Sequence, residues 1–532
     1  MLQQTVRMGG RRRATVVRLV ASAVTLLAMV SFTGAKSGAS TSRDTPSGTL
    51  TIANTEAPGN LNPILSTNDG AELMYSDLAY EPIIYVDAQT NTYQPGLALS
   101  WHYTNNGSAF VLNLRPNVEF SDGTTMTAQD VANSILAVGS DHGGLAIYEA
   151  VIKSINVTGP LSLQLNLAGH DPDLPLLLSQ SMMGPDVVAP SALANPATLA
   201  TTTDGAGPYM LDPAETVAGS TYTYIPNPNF FDPSAVHYSK VVVDVISNLS
   251  SELSALQSGQ VQFAWGSAST IPQAKSDGLK VYTGLESWDG ALLFDRNGVL
   301  AKPLRSLKVR QALNYAINRT ADAQTIYGKG LATATDEPEV PGYEGYVKSV
   351  ANYYPYNVAK AKELLKEAGY PHGFNLVVGA TSNEYVGSAS QAQALASNWA
   401  AIGVKVQIKS YATVDELVTP WIDAKLPVTA GGYNGLPIYT EAQQVLTKDA
   451  GLFNPFKSVD PTLNKLMTVA ENAPTLAAGN ADWAKVMEEV VKLAWFAPIA
   501  NSDAIYYASS SLKGVAVSPL AYDPDPVGWS GS

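Results

Sequence analysis

The sequence predicts an α/β protein of more than one domain, and three observations carry that prediction. The chain has 532 residues, too many for one hydrophobic core, so two or three domains are expected. Apolar residues make up 45% and charged residues 15%, a balance that leaves ample material for those cores. The C-terminal half alternates helical and extended periodicity: helix Asn357–Ala368, strand Phe374–Val378, helix Ser388–Ile402, strand Val404–Ile408. That rhythm is what α/β units with right-handed crossovers require.

Taken in order, residues 1–35 read as an export signal. Arg11, Arg12 and Arg13 form its positive end, Leu19 to Val30 is a stretch of small and apolar residues too short to span a membrane comfortably, and Thr33-Gly34-Ala35 offers small residues for cleavage. Residues 36–48 are small and polar and read as a disordered linker. Thr49–Ala53 begins the folded part as a strand. Phe110, Leu112 and Leu114 alternate with Val111 and Asn113, the period of a strand with one buried face. Ser121-Asp122-Gly123 is a turn. Thr127 stands three residues before Asp130, a capping-box spacing, and Val131, Ile135 and Val138 give the ensuing helix an apolar face.

Val151–Val157 and Leu161–Leu167 alternate as paired strands. Lys240–Ile246 is a buried strand, Ser250 caps a helix through Ser258 with Gly259 behind it, and Val261–Trp265 is a short strand. A strand is expected at Ala291–Phe294 and a helix at Leu307–Asn318. Asp482–Ala494 is a late helix, followed by strands at Phe496–Asn501 and Ala504–Ala508.

Composition excludes several functions. A net charge of −14 argues against nucleic acid and anionic membrane surfaces as partners. There is no cysteine, so there are neither disulfides nor thiol catalysis, and stability rests on the core. The five histidines, His102, His142, His170, His237 and His372, form no tight ligand pair, so no metal site and no cofactor are expected. No GxSxG and no Walker loop occur, and Pro208 breaks the glycine run Gly205-Ala206-Gly207. Carboxylate chemistry of the kind used by glycoside hydrolases stands as a second functional class.

The stretch Pro95–Ser134 (PGLALSWHYTNNGSAFVLNLRPNVEFSDGTTMTAQDVANS) closely resembles the hallmark of the bacterial extracellular solute-binding proteins of the oligopeptide/dipeptide/nickel class, family 5, the receptor components of ABC importers. KPLRSLKVRQALNYAINR, YNVAKAKELLKEAGY and ALASNWAAIGVKVQI are similar to further segments of that family. The resemblance implies a two-lobed clamshell of the type II periplasmic-binding-protein kind, with an extra α/β domain in the first lobe. It places residues 49–80 and 201–285 in lobe 1, 81–200 in the additional subdomain and 286–495 in lobe 2, with 496–532 returning to lobe 1. It implies no enzymatic activity. The expected partners are a peptide or other small solute and an ABC permease, and the receptor itself is expected to be a monomer at the outer face of the cytoplasmic membrane.

Ligand-binding candidates fall on loops and strand ends facing the expected cleft. Glu56 and Asn60 lie in the loop after the first strand. Trp265 and Trp288 lie near the two expected lobe crossings. Asn383 and Tyr385 precede the helix at Ser388, where a helix N-terminus favours an anion. Tyr433 and Asn434 complete the set. Peptide receptors of the family carry near this point an aspartate that pairs with the ligand's amine. Here no Asp follows before Glu441, and the missing charged hydrogen bond is worth roughly 1.5–3 kcal/mol. Glu441 or Glu56 could replace it, and an oligosaccharide would suit Tyr, Trp and Asn walls equally. Ala35 stands where a lipid-bearing Cys would be, which excludes that form of anchoring.

Overall fold

The computed structural model describes residues 45–531 apart from 66–69, 140–150, 169–170, 172, 183–185, 344, 383–387, 435–437, 449, 451–452, 474–475, 519 and 522. The expected export signal and most of the linker therefore lie outside the described residues, as do His142 and His170.

One mixed sheet of eleven strands organises the fold. Its order is Lys405–Tyr411, Asn375–Thr381, Val428–Asn434, Lys280–Leu293, Phe496–Ala508, Phe263–Trp265, Thr49–Asn54, Lys240–Val245, Thr221–Pro226 and Tyr209–Leu211, with Ala332–Ala334 pairing separately onto Phe496–Ala508. Parallel pairing occurs in both halves. Thr49–Asn54 runs beside Lys240–Val245, and Asn375–Thr381 beside Lys405–Tyr411. The second parallel pair is joined by the helix Ser388–Ala400, which buries Ala392, Leu395 and Trp399. Trp399 donates its indole N–H to Leu313 O at 3.0 Å, so the one polar atom of that large side chain is satisfied in the core.

The middle of the sheet is a pair of long antiparallel strands, Lys280–Leu293 and Phe496–Ala508. They pair from Lys280 opposite Ala508 to Leu292 opposite Phe496, with irregularities at Leu285/Ser287 and Asp289/Gly290. One end of the pair adjoins Phe263–Trp265 and the other adjoins Val428–Asn434. The halves it joins have separate cores. Leu50, Ile52, Val241, Phe263 and Trp265 belong to one, and Leu293, Leu313, Leu365, Val378 and Trp399 to the other. This is the two-lobed α/β architecture the resemblance implies.

A second sheet, Ala98–Thr104, Ala109–Leu114, Ser162–Leu167 and Ile152–Gly159 in that order, and the hairpin Ile84–Asp87/Thr92–Pro95 make up the added portion. The helix Ala128–Gly139 packs on it, and Thr127 donates both its backbone N–H and its hydroxyl to Asp130 at 2.8 and 2.7 Å. Its apolar residues Phe110, Leu112 and Leu165 share one cluster with Tyr439, Leu446, Trp483 and Phe496 from the C-terminal half.

Four expectations are corrected. Asn248, not Ser250, caps the helix Leu249–Gln257, its side chain accepting from Ser251 N. The helix expected at Leu307–Asn318 ends at Tyr315, and Asn318 caps a second helix, Arg319–Ile326. The expected strand Ala291–Phe294 is the end of a fourteen-residue strand that includes Trp288. The two strands expected at Phe496–Asn501 and Ala504–Ala508 are one, because partners on both sides hold its backbone continuously.

Candidate functional site

The site is built on the crossing strands. Trp288 is the register partner of Tyr433 on one side and Asn501 on the other, and side chains of cross-strand partners project to the same face. Trp288 packs on Phe496 with ring centroids 5.2 Å apart, and Tyr433 meets Phe453 edge-on at 4.8 Å. Both rings are buried. The indole N–H of Trp288 has no hydrogen-bond partner among the described residues.

Two segments cover this face, each fixed by a polar contact. Asn501 donates its side-chain amide to Glu339 O at 3.2 Å, which holds the segment that follows strand Ala332–Ala334. Tyr433 donates its hydroxyl to Gln444 Oε1, which holds the helix Ile438–Val445. Glu441 precedes Gln444 by three residues, so the two share a helix face. The covering segments meet where the side chains of Glu339 and Glu441 hydrogen-bond to each other. Glu337 lies two residues before Glu339, within electrostatic reach of Glu441.

Burial dominates the chemistry of these three carboxyls, since an ion loses its hydration there. It pushes Glu441 up to about 7, the bond to Glu339 pulling partly back. Glu337 is pushed up to about 9, first by burial and then by Glu441, with the Val347 N–H partly offsetting the rise. Glu339 rises well above the carboxylate range through burial and the Glu441 charge. Oxygens on all three lack a well-formed hydrogen bond. Burial first, and then the charges of Glu339, Glu286 and Tyr93, hold the Tyr343 hydroxyl well above the usual phenol range. Among the described residues no set of three His, Cys, Asp or Glu is arranged to hold a metal ion.

The opposite face is of another kind. Asp289 accepts from Ser502 Oγ and from Ser287 Oγ at 3.4 Å, and Tyr327 and Gln391 also bond to it. Burial raises its pKa to about 6, and those four groups restrain the rise.

The other candidates are placed separately. Trp265 packs on Tyr506 at 4.9 Å within the core that also contains Phe263 and Trp529, and its backbone N–H donates to Glu252 Oε2 at 2.7 Å. Its partner Tyr506 lies five residues from Asn501 along one strand. That odd spacing faces the two tryptophans oppositely, so Trp265 and Trp288 do not meet. Glu56 is half-buried, and its carbonyl accepts from Tyr75 Oη at 2.8 Å. Asn60 accepts from Asn62 N at 2.9 Å, an Asx turn. Asn434 ends its strand opposite Ser287. Asn383 and Tyr385 lie outside the described residues. Sequence reasoning missed Glu337 and Glu339. Their one signal was the acidic run Asp336-Glu337-Pro338-Glu339.

A sheet of two halves joined by long strands, each half with its own core, is the architecture of a two-lobed binding protein. The model of the bacterial extracellular solute-binding proteins, family 5, matches residues 92–447, and the chain belongs to that family, the solute-binding components of ABC importers. It is 24% identical to heme-binding protein A of Haemophilus influenzae over 96% of this chain and 98% of that protein. It is 26% identical to the glutathione-binding protein GsiB of Escherichia coli over 59% of this chain and 60% of that protein. The fold matches the periplasmic binding protein DppA of Helicobacter pylori in complex with the peptide STSA, with a TM-score of 0.79, 21% identity, and 91% of this chain and 97% of that one covered. Among the described residues no helix is long and apolar enough to cross a membrane.

Proposed function

We propose that this receptor captures a peptide or a related small solute against the face formed by Trp288, Tyr433 and Asn501, and delivers it to a membrane permease. The observation that carries the reading is the buried Trp288 indole N–H, which has no partner among the described residues. A buried donor left unmatched by its own fold costs about 1–3 kcal/mol, and a bound solute relieves that cost. The crossing strands act as the hinge between lobe 1 (49–80, 201–285 and the C-terminal return) and lobe 2 (286–495), and closure buries the solute. The protein acts as an exported monomer by binding alone, without covalent chemistry. Peptides are favoured because DppA, whose fold it shares, holds one.

Thermal denaturation in the presence of small peptides, oligosaccharides, heme or nickel tests this, since a solute that binds only the folded state raises the melting temperature. Peptides are expected to raise it by several degrees. A shift with oligosaccharide or heme alone would replace the peptide reading, and turnover of a glycoside would overturn the receptor reading.

A further inference from the structure

We propose that residues 514–529 form a strap that fastens the hairpin Ile84–Asp87/Thr92–Pro95 to the core containing Phe263, and that carboxyls gathered beneath the strap loosen it as pH rises. The device does not depend on which solute the receptor takes.

The strap is rooted in one core and reaches another. Lys513 and Ser530 exchange backbone hydrogen bonds at 2.8 and 3.1 Å, which closes the loop at its base. Gly514 permits that base, because its φ is +89° and a Cβ there would lie 2.5 Å from Gly528 O. Trp529 is 1% exposed and packs on Phe263 with ring centroids 4.5 Å apart, and Leu512 and Val515 lie in the same core. Leu520, midway along the loop, packs instead against the cluster that holds Ile84 and Val86. Three side-chain bonds then tie loop to hairpin. Gln89 donates its amide to Gly514 O at 3.1 Å, Ser518 donates its hydroxyl to Asn91 Oδ1 at 2.6 Å, and Tyr85 donates its hydroxyl to Asp525 Oδ2 at 2.9 Å. The hairpin belongs to neither larger sheet, and two strands alone are marginally stable. One of its edges is held by Leu178 O and the Gln180 side chain, which accept from Ile84 N at 2.9 Å and Val86 N at 3.0 Å. The strap holds its turn.

The Tyr85 bond lies among acids. The charge of Asp525 and burial, followed by Glu81 and Asp77, hold the Tyr85 hydroxyl well above the usual phenol range. Asp77 and Glu81 follow the helix Gly70–Ser76, so the strap brings its own carboxyl toward theirs. Burial raises all three. Glu81 is pushed up to about 8, with Asp525 and Asp232 adding to the rise and Arg115 partly offsetting it. Asp77 rises further through Asp525, Asp186 and Asp523, and Asp525 is restrained by the Val527 N–H and by Tyr85. Asp186 accepts from Ser76 Oγ, and Asp523 accepts from Tyr506 Oη at 3.1 Å. The cation in reach is Arg115, which is already engaged over the Phe231 ring at 4.3 Å and with Gly96 O at 3.3 Å. Once the strap lifts, the carboxyls meet water and release protons near pH 4. Beneath it Glu81 keeps its proton up to about 8. Between those values the closed strap binds more protons than the open one. Its grip is therefore full below that window and is lost as pH rises through it.

The test is hydrogen exchange of the purified chain at pH 6 and pH 8, each corrected for the intrinsic exchange rate. Peptides covering 84–95 and 514–529 are expected to lose at least about tenfold protection between the two pH values. Peptides covering the strand Asn375–Thr381 should keep theirs. D525N, which keeps size and removes charge, should abolish the pH dependence, and E81Q should reduce it. Y85F keeps the carboxyls and removes the bond, so it should lower protection of both segments at pH 6. Protection that does not change with pH, or that falls equally in Asn375–Thr381, overturns the switch. A pH dependence that survives both D525N and E81Q also overturns it, and if D525N does not fold, E81Q alone decides. Unchanged protection in Y85F overturns the strap.

Discussion

Asp295 and Glu337 are equally buried carboxylates, each at 0% exposure, and their surroundings could hardly differ more. Asp295 follows the long strand Lys280–Leu293 and accepts the backbone N–H groups of Val299, Leu300 and Ala301 at 2.7, 2.7 and 2.6 Å. Its burial is explained by its own neighbours, because three donors in one turn replace the water it lost. Glu337 sits among other carboxyls, with neither oxygen in a well-formed hydrogen bond. A buried ion that the local backbone satisfies belongs to the architecture. Glu337 is held instead as the neutral acid, with the Val347 N–H as a partial partner.

The strongest way to break this comparison is to remove Asp295. Asp295→Ala strands three amides at once and is expected to destabilise the chain by roughly 3 kcal/mol, since each donor left unmet costs about 1–3 kcal/mol before relaxation. A shift in the urea midpoint with unchanged slope measures it. A loss below about 1 kcal/mol would show that water reaches the turn and that burial alone does not distinguish the two carboxylates.

The opposite sign is expected at the cleft. The native state holds Glu441 protonated up to about 7, whereas an unfolded glutamate loses its proton near 4.3. Between these values the native state binds more protons than the unfolded one, so stability falls as pH rises through that window and the loss is complete above it. Glu441→Gln removes that penalty. It should stabilise the unliganded chain by about 2 kcal/mol at pH 8 and by little at pH 4.5. Denaturant midpoints at the two pH values decide the matter, and an equal change at both would separate the effect from ionisation.

This contrast also divides what was legible in the sequence from what was not. The Thr127/Asp130 cap, the alternation at Phe110–Leu114 and the helix–strand rhythm after Asn357 are local patterns, and each element they name is present. The long strands were harder to read. Asp289-Gly290 reads as a turn, yet Gly290 is there because a Cβ would lie 2.5 Å from Ala497 O, a close approach between strands some two hundred residues apart. Ser502-Asp503 likewise reads as a break, although Ser502 faces Asp289. Glu339 and Glu441 stand about one hundred residues apart, and Asn501 and Tyr433 tie their segments to the long strands, contacts with no trace in local spacing. Of the candidates named in advance, Trp288 and Tyr433 lie side by side because they are cross-strand partners, a register the sequence alone does not specify.

The smallest effect expected belongs to the most legible element. Asp130→Ala removes the carboxylate that takes both the N–H and the hydroxyl of Thr127. These bonds lie at an exposed helix start, so water replaces much of what is lost, and the cost should be about 1 kcal/mol. The helix Ala128–Gly139 keeps Val131, Ile135 and Val138 in its core cluster, so the added portion should stay folded and solute affinity should not change. A measurable drop in affinity would mean that the internal stability of this portion also shapes the binding site. The division between architecture and site drawn from Asp295 and Glu337 would then extend less far than the two carboxylates suggest.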